Sequence, residues 1–294
     1  MSKNSWEKSK LVGPDPKNKQ LTASVTGINH FGEISEIPVV TERPLTIYLN
    51  SQEIVTAMTI GDYPSLLALG YLKNQGMIKQ TDQITSIEVD EDLDVVVVRT
   101  KRETNYEEKL SRKIRTSGCA VGTIYGDIMD GLQDIELPSS KMKISHLYDL
   151  SRKINLIPSL YLEAGAIHGT VLCKDNIPLV YMEDVGRHNA VDKVAGWMFE
   201  NDNFGGDKIL YTTGRLTSEM VIKTALMEIP ILVSRSGFTA WGVELANDLG
   251  MTLIGRLRGK RFLCLSGKER LVWDIETTSF ETINENYNAG SKLA

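Results

Sequence analysis

Cysteine is scarce in this chain, which has only Cys119, Cys173 and Cys264 among its 294 residues. Thiols spaced so widely form neither a disulfide framework nor a zinc site. No stretch approaches the roughly 18 consecutive apolar residues of a membrane-spanning helix, and the N-terminus lacks the short apolar core of a signal peptide. We therefore expect a cytoplasmic protein without a membrane span and without a permanently bound metal.

An excess of positive charge is also missing, because 33 Lys+Arg oppose 38 Asp+Glu and the net charge is -5. Bulk nucleic-acid binding is therefore not expected, and an anionic ligand must meet a local basic patch. Neither a Gly-x-Gly-x-x-Gly nor a Walker lysine motif occurs, which disfavours a standard dinucleotide or triphosphate site. Hydrophobic residues make up 41% of the chain, and its length allows two domains.

The first half is predicted to be a small α+β domain spanning residues 21–140. Residues 1–20 are polar, so we expect a mobile tail ahead of it. Alternating apolar residues predict strands, and one amphipathic segment predicts a helix. The strands are Pro44–Asn50, Ile54–Met58, Ile84–Val89 and Val95–Arg99, and the helix is Pro64–Lys73.

The second half, residues 141–294, is predicted to have an α/β fold. A helical pattern covers Ser145–Leu156, with Ser145 in a position to cap it. Beyond Asp184, helices alternate with strands: Arg187–Glu200, Lys208–Thr213, Thr217–Glu228, Ile231–Ser234, Thr239–Leu249 and Met251–Gly255. This alternation predicts a mostly parallel sheet covered by helices on both faces.

The stretch Glu183–Lys193 is predicted to lead from a strand through a turn into a helix. Asp184 can cap that helix, and Gly186 allows a tight turn or the close approach of a ligand. Arg187 and His188 then supply donors in the first turn, at the kind of strand end where α/β sheets place anionic ligands. The alternative is a well-capped helix with a solvated polar start.

Small polar groups follow the later strands as well. They include Gly214 and Arg215, Ser234 and Ser236, and the basic stretch Arg256–Arg261. Backbone amides and arginines at such ends form a good cradle for phosphates. Loops of this composition also serve packing alone, and a basic run is commonly just a solvated surface.

Cys119 lies among small residues in the segment Arg115–Thr123. Nearby Arg112, Lys113 and Arg115 favour the thiolate, which is the reactive form of cysteine. One exposed thiol of this kind suits the acceptance and transfer of sulfur as a persulfide. The alternative is an ordinary free cysteine in a loop of small residues.

Several motifs together resemble the FdhD family, the formate dehydrogenase accessory sulfurtransferases. Glu183–Lys193 matches the family signature, and Glu42–Ile78 is similar to its N-terminal region. The other matches are His168, Thr213-Gly214-Arg215, Ser218-Glu219-Met220, Ser234, Ser236 and Leu253-Ile254-Gly255. The resemblance implies a cytidine-deaminase-like three-layer domain in the second half and a homodimer. Deaminase chemistry is not expected, because the zinc-binding His-x-Glu and Cys-x-x-Cys motifs are absent.

The resemblance further implies a sulfur carrier that takes persulfide sulfur from a cysteine desulfurase. It would transfer this sulfur to the bis(guanine dinucleotide) form of the molybdenum cofactor, the cargo, for delivery to apo formate dehydrogenase. The implied persulfide carrier is Cys119. The implied cofactor-binding residues are Arg256, Leu257, Arg258, Gly259, Lys260 and Arg261, together with His168, Gly186, Arg187, His188, Gly214 and Arg215.

One position departs from the family pattern. FdhD loops commonly carry Cys-Gly-x-Cys-Gly, and Gly122 occupies the place of the second cysteine here. A relay through a disulfide between two loop cysteines is therefore unavailable. Either Cys119 works alone or sulfur transfer is altered. The alternatives are a cofactor chaperone that delivers cofactor without moving sulfur and a generic nucleotide-binding regulator, which leaves the cysteine loop unexplained.

Overall fold

The computed structural model describes residues 11–102, 113–115, 123–125 and 131–275, with the two three-residue segments described through their backbone pairing alone. The first half contains a hairpin and a separate four-stranded sheet with strand order β4-β3-β6-β5. Its elements are β1 (Thr22–Ile28), β2 (Ile34–Val40), β3 (Arg43–Leu49), β4 (Gln52–Thr59), α1 (Pro64–Asn74), β5 (Ile84–Asp90) and β6 (Val95–Thr100). The predicted strands and helix of this half are therefore confirmed, with ends shifted by one or two residues.

The two strands of a short ribbon flank the cysteine-containing segment in the sequence. β7 (Lys113–Arg115) pairs antiparallel with β8 (Thr123–Tyr125), and Arg115 lies opposite Thr123. The seven residues between these strands, 116–122, have Cys119 at their centre. Cys119 itself lies outside the described residues, so its predicted role stays a prediction.

The second half is built on a six-stranded sheet with strand order β11-β10-β12-β13-β14-β15. The strands are β10 (His168–Lys174), β11 (Ile177–Asp184), β12 (Ile209–Thr212), β13 (Ile231–Ser234), β14 (Thr252–Arg258) and β15 (Arg261–Ser266), while β9 (Met142–Lys143) and β16 (Leu271–Val272) pair separately. The helices are α2 (Ile144–Asn155), α3 (Leu160–Ala164), α4 (Arg187–Glu200), α5 (Ser218–Leu226) and α6 (Ala240–Asp248). The helix Arg187–Glu200 and the strand Ile231–Ser234 have the predicted bounds.

The prediction of a mostly parallel sheet is wrong. Only the β12–β13 and β13–β14 pairings of the six-stranded sheet are parallel, while its other three pairings are antiparallel. Two tight hairpins account for two of the antiparallel pairings, and the third arises because β10 also lies antiparallel beside β12. The chain turns back at Asp175-Asn176 and at Gly259-Lys260, so each turn adds an antiparallel neighbour.

Successive residues of the six-stranded sheet point into two hydrophobic clusters, as the two-residue period of a strand requires. One face contributes to a cluster with α1, α4, α5 and α6, and the other contributes to a cluster with α2. The second half is therefore three-layered. The larger cluster also includes Leu45, Ile47 and Val96 from the first half, so the two halves share one core. The division at residue 140 stays a prediction.

Two glycines allow α1 and α4 to cross at very short range. A Cβ added to Gly70 would lie 1.7 Å from the carbonyl oxygen of Asp192, and one added to Gly196 would lie 1.9 Å from that of Leu66. No side chain fits at either position. The first half is therefore held directly against the helix that begins at Arg187.

Two further predictions need correction. The prediction of a mobile tail over residues 1–20 does not hold at Val12, because its carbonyl oxygen accepts a 2.8 Å hydrogen bond from the Tyr181 amide, while residues 1–10 lie outside the described residues. That bond places residue 12 at the free edge of β11. Ser145 does not cap α2, since the Asp274 carboxylate accepts hydrogen bonds from its amide at 3.0 Å and its hydroxyl at 2.5 Å. Asp274 is far along the chain, so local spacing could not reveal it.

Among the residues that the structure describes, none of the helices is long and apolar enough to span a membrane.

Candidate functional site

The candidate site lies where strands of the six-stranded sheet end, not along an outer strand. This end of the sheet is called the site edge. β11, β12, β13 and β14 run in the same direction and end at this edge, whereas β10 begins there with His168 opposite Asp184. The turns after these ends carry Gly186 and Arg187, Gly214 and Arg215, and Ser236. The predicted strand-end residues are therefore brought together on adjacent strands.

Hydrogen bonds between neighbouring turns hold this edge in one arrangement. The Thr213 hydroxyl accepts from the Gly169 amide at 3.0 Å and lies 3.3 Å from His168 Nδ1. The Ser234 hydroxyl donates to the Gly214 carbonyl oxygen at 2.6 Å and accepts from the Ser236 amide at 2.9 Å. These serines and threonines link the turns, which explains why small polar residues end the strands.

Basic side chains converge at the centre of the edge. Burial lowers the pKa of His168, and the positive charges of Arg187 and Arg215 lower it further. A Cβ on Gly214 would lie 3.1 Å from the Arg187 side chain, so the absence of a side chain there makes room for the arginine. His168, Arg187 and Arg215 thus form a concentration of cationic and donor groups suited to an anionic ligand.

His188 is buried beneath this group as a neutral imidazole. Burial lowers its pKa to about 2, and the charges of Lys223 and Arg187 act in the same direction. Its Nε2 lies 3.2 Å from Glu219 Oε2, a contact that a neutral ring makes by donating its Nε2 proton. His188 Nδ1 is buried without a hydrogen-bond partner among the described residues. An unpaired acceptor of this kind is uncommon and is available to a bound ligand.

The starts of α5 and α6 differ in a way that also favours a ligand at this edge. Thr239 caps α6 by accepting a 3.2 Å hydrogen bond from the Gly242 amide. Thr217 holds the equivalent position before α5, but its buried hydroxyl has no partner within the described part of the chain. Thr217 follows Arg215 closely and was not predicted from the sequence as a site residue.

A buried ionic network supports the turn from β11 into α4. Lys193 Nζ lies 2.6 Å from Asp184 Oδ2 and 2.5 Å from Asp62 Oδ1. Asp184 also accepts hydrogen bonds from the Thr59 hydroxyl at 2.5 Å and from Asn189 Nδ2 at 3.0 Å. The prediction that Asp184 caps α4 is therefore wrong, since its carboxylate joins the two halves of the chain instead. Lys193 is fully buried and is not available to a ligand.

The predicted basic stretch spans the hairpin between β14 and β15. Arg258 and Arg261 are paired across β14 and β15, and both side chains are exposed. Like charges placed opposite each other destabilise a strand pair. No carboxylate of the described residues lies within 4.0 Å of Arg256, Arg258, Lys260 or Arg261 to offset this charge. A bound anion would relieve the repulsion.

Arg256 connects this hairpin to the rest of the edge. Its amide donates a 2.7 Å hydrogen bond to the Ser236 carbonyl oxygen, and its φ is 54°, in the left-handed region that non-glycine residues rarely adopt. A bulge between Gly255 and Arg258 accompanies this conformation. Gly259 forms the hairpin turn with a φ of 59°. Backbone strain of this kind is typical of ligand-binding segments.

Leu257 does not fit its predicted role as a cofactor contact. Its side chain is only 2% exposed and packs in the second hydrophobic cluster. The two-residue period of β14 sends Arg256 and Arg258 outward and Leu257 inward. Leu257 therefore anchors the basic hairpin from below.

The other two cysteines are poorly suited to carry sulfur. Burial raises the pKa of Cys173, which is completely enclosed, and it also raises the pKa of the partly buried Cys264. A raised pKa reduces the thiolate fraction and hence the reactivity. The described residues also contain no group of three or more His, Cys, Asp or Glu side chains that could hold a metal ion.

Comparisons with known proteins agree on one family. A model of the FdhD/NarQ family matches residues 40–272. The Listeria innocua protein named Sulfur carrier protein FdhD is 30% identical over 249 residues, covering 82% of this chain and 94% of its own length. The Bacillus subtilis protein of the same name is 29% identical over 245 residues, with coverages of 82% and 93%.

A solved structure has the same fold as well. It is described as a putative formate dehydrogenase accessory protein from Desulfotalea psychrophila. Its TM-score is 0.70 at 28% sequence identity, and the alignment covers 85% of this chain and 98% of that one. The mixed α/β architecture of this chain thus matches nearly the whole length of the solved structure.

Proposed function

The chain belongs to the FdhD/NarQ family, and from that premise we propose that it is a sulfur carrier serving the maturation of a formate dehydrogenase. The names of the curated relatives support sulfur carriage, and the description of the structural neighbour supports the accessory role. The protein would act in the cytoplasm as a homodimer. Its partners would be a cysteine desulfurase and the apo form of the dehydrogenase.

Cys119 is proposed to receive the sulfur. Its thiolate attacks the terminal sulfur of the persulfide on the desulfurase, and the sulfur–sulfur bond breaks. The desulfurase cysteine leaves as a thiolate while Cys119 becomes the persulfide, so the step needs no outside oxidant or reductant. Cys173 is unsuited to this attack because it is buried and its pKa is raised.

The cargo is proposed to be the bis(guanine dinucleotide) form of the molybdenum cofactor. The observation that carries this part is the row of basic side chains along one sheet edge, from Arg187 and Arg215 beside His168 at its centre to the Arg256–Arg261 hairpin at its end. Each guanine dinucleotide brings a pyrophosphate group, which arginines and backbone amides bind well. The hydroxyl of Thr217 and Nδ1 of His188 would serve as further ligand contacts.

Intact mass spectrometry tests sulfur carriage directly. The protein is incubated with a cysteine desulfurase and cysteine, alongside a Cys119→Ser variant. We expect added sulfur on the native chain and none on the variant. Equal sulfur on both proteins would remove Cys119 from its role. A Cys119→Ser variant that still matures formate dehydrogenase would instead show delivery of cofactor without sulfur transfer.

A further inference from the structure

Tyr161 is an aromatic residue at the site edge that no motif identified. Its side chain belongs to α3 and is 42% exposed. The guanidinium carbon of Arg235 lies 5.3 Å from the centre of the tyrosine ring, within the range of a cation–π contact. Arg235 follows Ser234, the last residue of β13, so this pair stands at the same sheet edge as the convergent cations.

The signature residue Glu183 fixes α3, and with it Tyr161. Its carboxylate accepts hydrogen bonds from the Leu160 amide at 2.7 Å and the Tyr161 amide at 3.2 Å. The Tyr181 hydroxyl donates to the same carboxylate at 2.8 Å. Glu183 thereby satisfies amides at the start of a five-residue helix that lacks a side-chain cap of its own. A partly exposed aromatic ring is thus held by a fully buried carboxylate.

The packing of Leu160 places α3 beside the turns of the site. Leu160 is fully buried against Ile167 and Val185, which directly precede His168 and Gly186. Arg235 itself has no carboxylate within 4.0 Å among the described residues, and besides the ring contact it donates a 3.5 Å hydrogen bond to the Tyr161 hydroxyl. An exposed ring backed by an arginine, next to a phosphate-binding edge, has the chemistry of a nucleobase-stacking platform.

We propose that Tyr161 stacks on a nucleobase of the bound nucleotide and that Arg235 supports the ring from the other side. The inference rests on the proposed function, because it assigns the base of the guanine nucleotide to a particular surface. Phosphates bind the cations along the sheet edge, while the base covers the tyrosine. Glu183 is then a positioning residue that acts through α3.

Binding of GDP and of inorganic pyrophosphate to the full-length protein separates the base contact from the phosphate contacts. Stacking of one base contributes about 1–3 kcal/mol, so Tyr161→Ala should weaken GDP binding about 5- to 150-fold. Pyrophosphate binding should not change, because it has no base. Tyr161→Phe retains the ring and should bind GDP within about twofold of the native affinity. Leu162→Ala is the matched control, since it removes an exposed neighbour on the same short helix.

Each outcome distinguishes the stacking role of Tyr161 from the proposed carrier function. Native GDP affinity in Tyr161→Ala, or equal losses for GDP and pyrophosphate, would overturn the stacking role and leave the proposed function standing. If the native protein did not bind GDP but still accepted sulfur on Cys119, the stacking role would be rejected while sulfur carriage remained. A selective loss of GDP binding in a protein that accepts no sulfur would retain the stacking site and reject the proposed carrier.

Discussion

Lys193 Nζ lies 2.6 Å from Asp184 Oδ2, and both side chains are completely excluded from solvent. Burial disfavours the charged lysine, but Asp184 and Asp62 outweigh it and leave the pKa of Lys193 raised. Asp184 ends β11, Lys193 lies in the second turn of α4, and Asp62 precedes α1 in the first half of the chain. The site edge and the first half are therefore coupled through one buried ammonium group.

Removing the charge of Lys193 should destabilise the protein severely. Lys193→Met leaves two buried carboxylates without their counter-ion, which costs about 3–5 kcal/mol. Urea denaturation measures the free energy of unfolding. Lys174→Met is the control, because it breaks an exposed ion pair with Asp207 and should cost less than about 1 kcal/mol. Similar losses in the two variants would contradict a structural role for the buried network.

The crossing of α1 and α4 should not tolerate a methyl group. Gly70→Ala or Gly196→Ala would place Cβ less than 2 Å from a backbone oxygen. The backbone cannot easily move to relieve this clash. We expect a loss of about 3 kcal/mol or more in the free energy of unfolding, or failure to obtain folded protein. Gly27→Ala is the control, since nothing lies within 4 Å of its added Cβ. Native-like stability of Gly70→Ala would show that the helices can separate without penalty.

The basic hairpin should contribute to nucleotide affinity and to its salt dependence. Replacing Arg256, Arg258 and Arg261 together with alanine removes three cations that can each make charge-assisted contacts. The affinity for GDP should fall on the order of 100-fold, and the remaining binding should depend less on salt. Calorimetric titration at two ionic strengths measures both effects. Arg152→Ala, on the exposed side of α2, is the control, and an unchanged GDP affinity in the triple variant would remove the hairpin from the site.

Sulfur release from Cys119 should require an added thiol. Sulfide leaves a persulfide only when two electrons are supplied. One external thiol attacks the Cys119 sulfur to form a mixed disulfide, and a second thiol then regenerates Cys119. Gly122→Cys would supply the first thiol from within the loop, so sulfide release should need less added dithiothreitol. Ala120→Cys is the control, because adjacent cysteines are poorly placed for a disulfide. Equal thiol requirements in the native and Gly122→Cys proteins would contradict this scheme.

His188 should make stability decrease as the pH falls. Its pKa is lowered to about 2 in the folded protein, so below pH 6.5 the unfolded chain binds a proton that the folded chain does not. This histidine alone should contribute a slope of about 1.4 kcal/mol per pH unit between pH 6 and 4. Denaturation of His188→Gln across that range should show a correspondingly flatter dependence. If His188→Gln kept the slope of the native protein, His188 would be excluded as its cause. His146→Gln, which lies outside the cluster, is the control for the substitution.

The convergence of the predicted site could be anticipated because strand ends are a property of topology. Once Arg187–Glu200 and Ile231–Ser234 were identified as helix and strand, the polar groups that follow the strands had to meet at one edge. The structure confirms this meeting for Arg187 and Arg215, whereas His168 joins them from the start of the antiparallel strand β10. The β14–β15 hairpin could not be anticipated. Gly259 reverses the chain inside the basic stretch, and the charges of that stretch do not predict a turn.

By itself, the sequence determined the local elements, the family and the chemistry of the candidate side chains, since periodicity and motif spacing depend on neighbours in the chain. The tertiary structure decided which distant groups meet. Asp62 balances Lys193 across 131 residues, and Arg235 reaches Tyr161 across 74 residues. It also decided that the sheet is mixed and that Leu257 faces inward. Such pairings follow from the free energy of packing whole elements together, which no short window of sequence contains.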